Sequence, residues 1–136
     1  MTIAVIDGQG AGIGQSIVKR IRKDSVLNKT ELVALGTNET ATINMKKAGA
    51  DLGFTGEDSI CTFLKENCID GIIGPIGVLC SGGINGEITE KIARAVFNLT
   101  CNKYIIPLRK HGIFIPGSTN IEIKQAIEEV INEIKK

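Results

Sequence analysis

The residues best placed by type and spacing to do chemistry are the seven from Gly8 to Gly14, Gly8-Gln9-Gly10-Ala11-Gly12-Ile13-Gly14. They follow the apolar run Ile3-Ala4-Val5-Ile6 and lead into Ile13, Ile17 and Ile21, which are spaced for one face of a helix. A turn that leaves a buried strand and opens a helix can aim several backbone N–H groups, and the positive end of the helix dipole, at one anion. Phosphate binding is therefore the expected chemistry of Gly8 through Gly14, with glycine supplying positive φ and close backbone approach. The spacing G-x-G-x-x-G fails, because Ile13 falls at its third place when counted from Gly8 and Gln15 when counted from Gly10. No Gly-Lys-Ser/Thr follows, so the Walker pattern fails as well. The spacing G-x-x-x-G-x-G fits through Gly8, Gly12 and Gly14.

The rest of a nucleotide needs further contacts. A dinucleotide site usually reads ribose hydroxyls at the end of the second strand, roughly twenty residues past the loop. Here that place holds Thr37 and Asn38, neutral groups that suit NAD or NADP and can equally cap a helix. Across the crevice, the segment Gly74-Pro75-Ile76 is the expected far wall, followed by a second glycine-rich stretch that carries Cys80 and Glu87. Arg109, Lys110 and His111 follow the fifth strand at the same sheet edge and either meet an anion or form a solvated basic turn. Cys80 near a helix start could act as a nucleophile, with Glu87 and His111 as acid or base, although no partner base is identifiable and a packed thiol is the favoured reading. Asp7 would repel a pyrophosphate unless protonated, paired or turned away. No metal site is expected: Cys61, Cys68, Cys80 and Cys101 lack a C-x-x-C pair and His111 is the sole histidine.

Length and composition bound these readings. At 136 residues, positions 1–136 are expected to form one domain, the length being too short for a nucleotide domain plus a separate substrate domain. Sixteen Lys+Arg against fifteen Asp+Glu, with 4% aromatic residues, offer neither the charge nor the stacking platforms of a nucleic-acid binder. No stretch approaches 18 apolar residues, and the first residues carry no basic leader, so a cytoplasmic protein with no membrane partner is expected.

The elements that must position these groups alternate between apolar runs and segments of helical period. That order predicts an α/β fold: a single Rossmann-like, doubly wound, mostly parallel sheet of about five strands with helices on both faces. Strands are expected at Thr2–Asp7, Glu31–Leu35, about Ala50–Gly53, Ile72–Gly74 and Tyr104–Leu108, with a short antiparallel edge strand at Ile113–Ile115. Helices are expected after the first loop, after Thr37 or Asn38, over about Glu57–Asn67 and Glu87–Leu99, and from a capping box at Thr119 and Glu122 to the end of the chain.

Two resemblances follow from these residues. Gly12-Ile13-Gly14 after Val5-Ile6 is similar to the cofactor turn of the short-chain dehydrogenases over about the first twenty residues. That family's catalytic Tyr followed four residues later by Lys is missing, since Tyr104 is followed there by Leu108. Over nearly its whole length the chain resembles a family of small bacterial Rossmann-like proteins described only as a domain of unknown function. The residues concerned include Val5 to Gly10, Ala34 to Asn38, Lys47 to Asp51, Ile73 to Gly77, Gly86 to Thr89 and Ile106 to Leu108. The resemblance implies the fold and no activity.

Three readings are consistent with the sequence. The first is a nucleotide- or dinucleotide-binding protein with its phosphate on Gly8–Gly14 and NAD or NADP as the expected cofactor, FAD, ADP and AMP being the other nucleotides to consider. The second is a small enzyme using Cys80, Glu87 or His111 on a small anion. The third is an interaction module with an empty glycine loop. A homodimer is compatible with all three.

Overall fold

The computed structural model describes residues 1–136. Its chain alternates β1 (Thr2–Asp7), α1 (Gly12–Lys23), β2 (Glu31–Gly36), α2 (Glu39–Ala48), β3 (Leu52–Thr55), α3 (Gly56–Glu66), β4 (Gly71–Pro75), α4 (Glu90–Phe97), β5 (Asn102–Ile106) and α5 (Ile123–Ile134). All strand pairs are parallel, in the order β3-β2-β1-β4-β5. The order reverses between β1 and β4, which places a crevice beyond the carboxyl ends of those two strands.

Alternation along the strands builds two cores. Ile3 and Val5 of β1, with Leu32 and Ala34 of β2 and Ile73 of β4, point to the face covered by α1, α2 and α5, where they meet Ile17, Ile21, Met45, Ile127 and Ile131. Ala4, Ile6, Val33, Leu35 and Ile72 point to the other face and meet Ile60, Phe63 and Leu64 of α3 and Ile92 and Val96 of α4. Burial on both faces is why these strands read as continuous apolar runs.

Asp24, buried just past the end of α1, ties that helix to the C-terminus. Its carboxylate accepts from Val26 and Leu27 N–H at 3.0 Å each, from Lys135 Nζ at 2.8 Å and from Arg20 Nη1 at 3.4 Å. The Lys135 ammonium leads in holding the Asp24 carboxyl well below the usual carboxylate range; burial opposes it and the two N–H groups assist. A carboxylate held low in the folded state contributes stability above its unfolded pKa and loses it as pH falls through the folded value. Urea midpoints are therefore expected to decrease as the pH is lowered below the ordinary aspartate value of 3.8, with a shallower decrease in Asp24→Asn. Equal slopes in the two proteins would remove Asp24 from the cause.

Four expectations are corrected. The third strand begins at Leu52, because Asp51 is drawn out of the sheet: its Oδ2 accepts from Leu32 N–H at 2.9 Å and from Arg22 Nη2 at 2.7 Å. No strand forms at Ile113–Ile115, where the backbone makes local turns (Ile113 N–H to Lys110 O, Ser118 N–H to Ile115 O) rather than a ladder. The last helix is capped by Glu122 with Gln125, not by Thr119 with Glu122. The helix expected from Glu87 starts instead at Glu90, with Thr89 accepting from Ile92 N–H.

Candidate functional site

A cavity of about 380 Å³ opens at the switch point, between the loop after β1, the loop after β4 and the chain that follows β5. Its floor and one wall are Asp7 through Ile13; the facing wall is Pro75, Ile76, Gly77 and Cys80 to Asn85; the rim is Leu108, Lys110, His111 and Ile113. The volume lies at the low end of the range of about 300–1,000 Å³ usual for small-molecule sites.

In the first loop the positive φ values fall on Gln9 (49°) and Ala11 (56°) and not on the glycines. The glycines serve space instead. A Cβ at Gly8 would meet Thr37 Oγ1 at 2.6 Å, and one at Gly14 would meet Met45 Sδ at 2.6 Å, whereas Gly10 and Gly12 have open space where a side chain would stand. One carbonyl of the loop is tied down twice: Asn44 Nδ2 and Gln15 Nε2 both donate to Gly10 O, at 3.0 and 2.9 Å.

The buried Asp7 carboxylate already holds part of this anion cradle. Its Oδ1 accepts from Gly8 N–H at 2.8 Å and its Oδ2 from Gly14 N–H at 2.9 Å. Burial pushes the Asp7 pKa up; the Gly14 and Gly8 N–H groups and the Lys110 charge pull it down, and the Glu87 charge adds to the rise. Ala11 N–H turns back to Gly8 O and Gln9 N–H goes to Glu87, so Gly10, Gly12 and Ile13 keep N–H groups with no acceptor in the protein. All three residues line the cavity.

Of the residues singled out above, Gly8 through Ile13, Pro75, Ile76, Cys80 and His111 come together around this cavity. Gly14 lies behind it with its N–H taken by Asp7. Gly74 packs the sheet, a Cβ there standing 2.7 Å from Ile6 O. Thr37 and Asn38 turn away from the cavity toward Glu87: Thr37 Oγ1 donates to Glu87 Oε1 at 2.5 Å and Asn38 Nδ2 at 2.8 Å, while Asn38 Oδ1 caps α2 at Ala41 N–H. Burial tends to raise the Glu87 pKa, but the bonds from Thr37, the Gln9 N–H and Asn38 outweigh it and hold the carboxyl below its ordinary value. Glu87 is thus a fixed carboxylate and, unlike Cys80 and His111, does not line the cavity. Asp51, just before β3, is spent on Arg22 and Leu32. Ile84, Leu108 and Ile113, apolar wall and rim residues outside the expected contact set, are legible only as isolated apolar side chains beside glycine or basic turns.

Together, an all-parallel doubly wound sheet and a crevice at its switch point define an α/β protein of Rossmann-like fold. The chain belongs to the family described as Domain of unknown function (DUF3842), whose model matches residues 2–136. Among solved structures it is similar to the universal stress protein from Archaeoglobus fulgidus, at 15% identity and a TM-score of 0.45, over 77% of this chain and 97% of that one. No curated protein matches it. No helix is long and apolar enough to cross a membrane.

Proposed function

We propose that this protein binds a nucleotide of mononucleotide size in the switch-point cavity. The observation that carries the reading is the set of three unpartnered N–H groups, at Gly10, Gly12 and Ile13, on the wall of a cavity rimmed by Lys110 and His111. A phosphate set against them replaces no protein contact, gains the N-terminal end of α1 and draws on the Lys110 charge. Ile76, Ile84, Leu108 and Ile113 offer apolar surface to a base. NAD or NADP, the cofactors expected from the loop spacing, would need more room than this cavity and the ribose-reading groups that Glu87 now holds.

Melting curves with AMP, ADP, NAD, NADP and FAD test the reading. A ligand at ten times its Kd is expected to add about 1.4 kcal/mol of stability by mass action, and Lys110→Ala is expected to weaken the effect of AMP. Flat melts with all five at millimolar concentration would sink the proposal.

A further inference from the structure

The crevice above the sheet is divided, and Glu87 divides it. Its Oε1 gathers three donors: Gln9 N–H at 3.0 Å from the loop after β1, and Thr37 Oγ1 at 2.5 Å and Asn38 Nδ2 at 2.8 Å from the end of β2. Asn38 Nδ2 also reaches Gln9 O at 3.0 Å, closing the gap between the two loops. In a doubly wound sheet the end of this strand is where the sugar of a dinucleotide's adenosine is read. A hydroxyl and an amide are suited to a sugar diol, yet both are consumed by a carboxylate of the chain itself.

The space is filled as well as the hydrogen bonds. Above Gly8, a Cβ would stand 2.6 Å from Thr37 Oγ1, 2.8 Å from Ile84 Cγ2 and 3.0 Å from Glu87 Oε1, so side chains of the protein already close over this glycine. The segment carrying Glu87 is held in a costly shape, with Ile84 and Asn85 both at φ 52°. A β-branched residue keeps such a φ only where its surroundings impose it. The three bonds to Glu87 and the packing of Ile84 on Gly8 and Gly77 are those surroundings.

We infer that Glu87 is a specificity-determining residue, an internal anion that fills the place of a second nucleoside and restricts the cavity to ligands carrying one. The inference rests on the nucleotide reading above. Its charge adds to the barrier, since a ligand phosphate on the β2 side of Gly8 would approach a fixed carboxylate.

Calorimetric titration of AMP and NAD into the wild-type chain, Glu87→Ala and Glu87→Gln tests it, with circular dichroism melts as the check on folding. Wild type is expected to bind AMP at least as tightly as NAD. Glu87→Ala is expected to raise NAD affinity at least about tenfold and leave AMP affinity within about threefold. Glu87→Gln keeps the shape of the plug without its charge, so a smaller gain for NAD is expected. A folded Glu87→Ala that binds AMP with NAD affinity unchanged overturns the inference while sparing the nucleotide reading, as does wild type binding NAD about tenfold tighter than AMP. Should Glu87→Ala not fold, an unchanged NAD affinity in Glu87→Gln overturns it equally. If neither nucleotide binds any of the three proteins, the nucleotide reading falls and takes this inference with it.

Discussion

Asp7→Ala is expected to lower the unfolding free energy by about 3 kcal/mol and at the same time to strengthen anion binding. The loss follows from two buried N–H groups, those of Gly8 and Gly14, which the carboxylate now satisfies at 2.8 and 2.9 Å. Stranding each costs about 1–3 kcal/mol, and the pair outweighs what is regained by no longer burying a carboxyl. The gain in binding follows from the same change, because the N–H of Gly8, which lines the cavity, becomes free and a negative charge leaves the cavity floor. A third consequence concerns pH. Since burial raises the Asp7 pKa, the folded state holds a proton that the unfolded chain gives up, so its contribution is complete below the ordinary value of 3.8 and is lost as pH rises through the folded value. Asp7→Ala removes that decline. A melting temperature within about 2 °C of wild type, against the drop of about 10 °C that the energy implies, would show that the carboxylate does not hold the loop.

Why some of this was legible in the sequence and some was not depends on how far each feature reaches along the chain. The first strand is legible because its apolar run Ile3 to Ile6 is buried on both faces, and it ends one residue later at Asp7, a polar group that can be buried there because Gly8 and Gly14 N–H satisfy it. The helices after it show their inner faces through spacing alone, as Ile60, Phe63 and Leu64 do in α3. The third strand slips by two residues because Ala50 looks like strand while Asp51 is claimed by Arg22, nearly thirty positions earlier. Ile113 to Ile115 has the composition of an edge strand, but a strand needs a partner, and composition does not say whether one is adjacent. The site divides in the same way. Gly8 to Ile13 and Pro75 with Ile76 are found by fold logic, since any doubly wound sheet brings those loops together. That Thr37 and Asn38 face Glu87 could not be read, for a hydroxyl, an amide and a carboxylate about fifty positions apart carry no spacing signal of their meeting. The placement of positive φ on Gln9 and Ala11 was hidden for another reason: four glycines nearby make every position of the loop look permissive.

The glycine stretch after β4 yields the sharpest contrast between residues of one type, and Gly83→Ala is expected to be the most damaging substitution within it. A Cβ at Gly83 would stand 2.0 Å from Gly77 O and 2.8 Å from Gly77 C. Both are backbone atoms, so no rotamer change relieves the contact, and the cost is about 3 kcal/mol or more. The chain cannot simply yield there. Gly83 N–H bonds Cys80 O, Ile88 N–H bonds Gly83 O and Gly82 N–H bonds Ile88 O, all within 3.0 Å, so a shift of Gly83 breaks the closed segment that presents Glu87. The expected result is a fall of about 10 °C in melting temperature together with loss of hydrogen-exchange protection at the Gln9 amide, whose acceptor is Glu87 Oε1. Gly10→Ala is the matched control, because its added Cβ meets nothing within 4 Å and its φ is not positive. It should lie within about 0.5 kcal/mol of wild type. Equal melting temperatures for Gly83→Ala and Gly10→Ala would mean that the close approach of Gly83 to Gly77 does not hold the segment in solution.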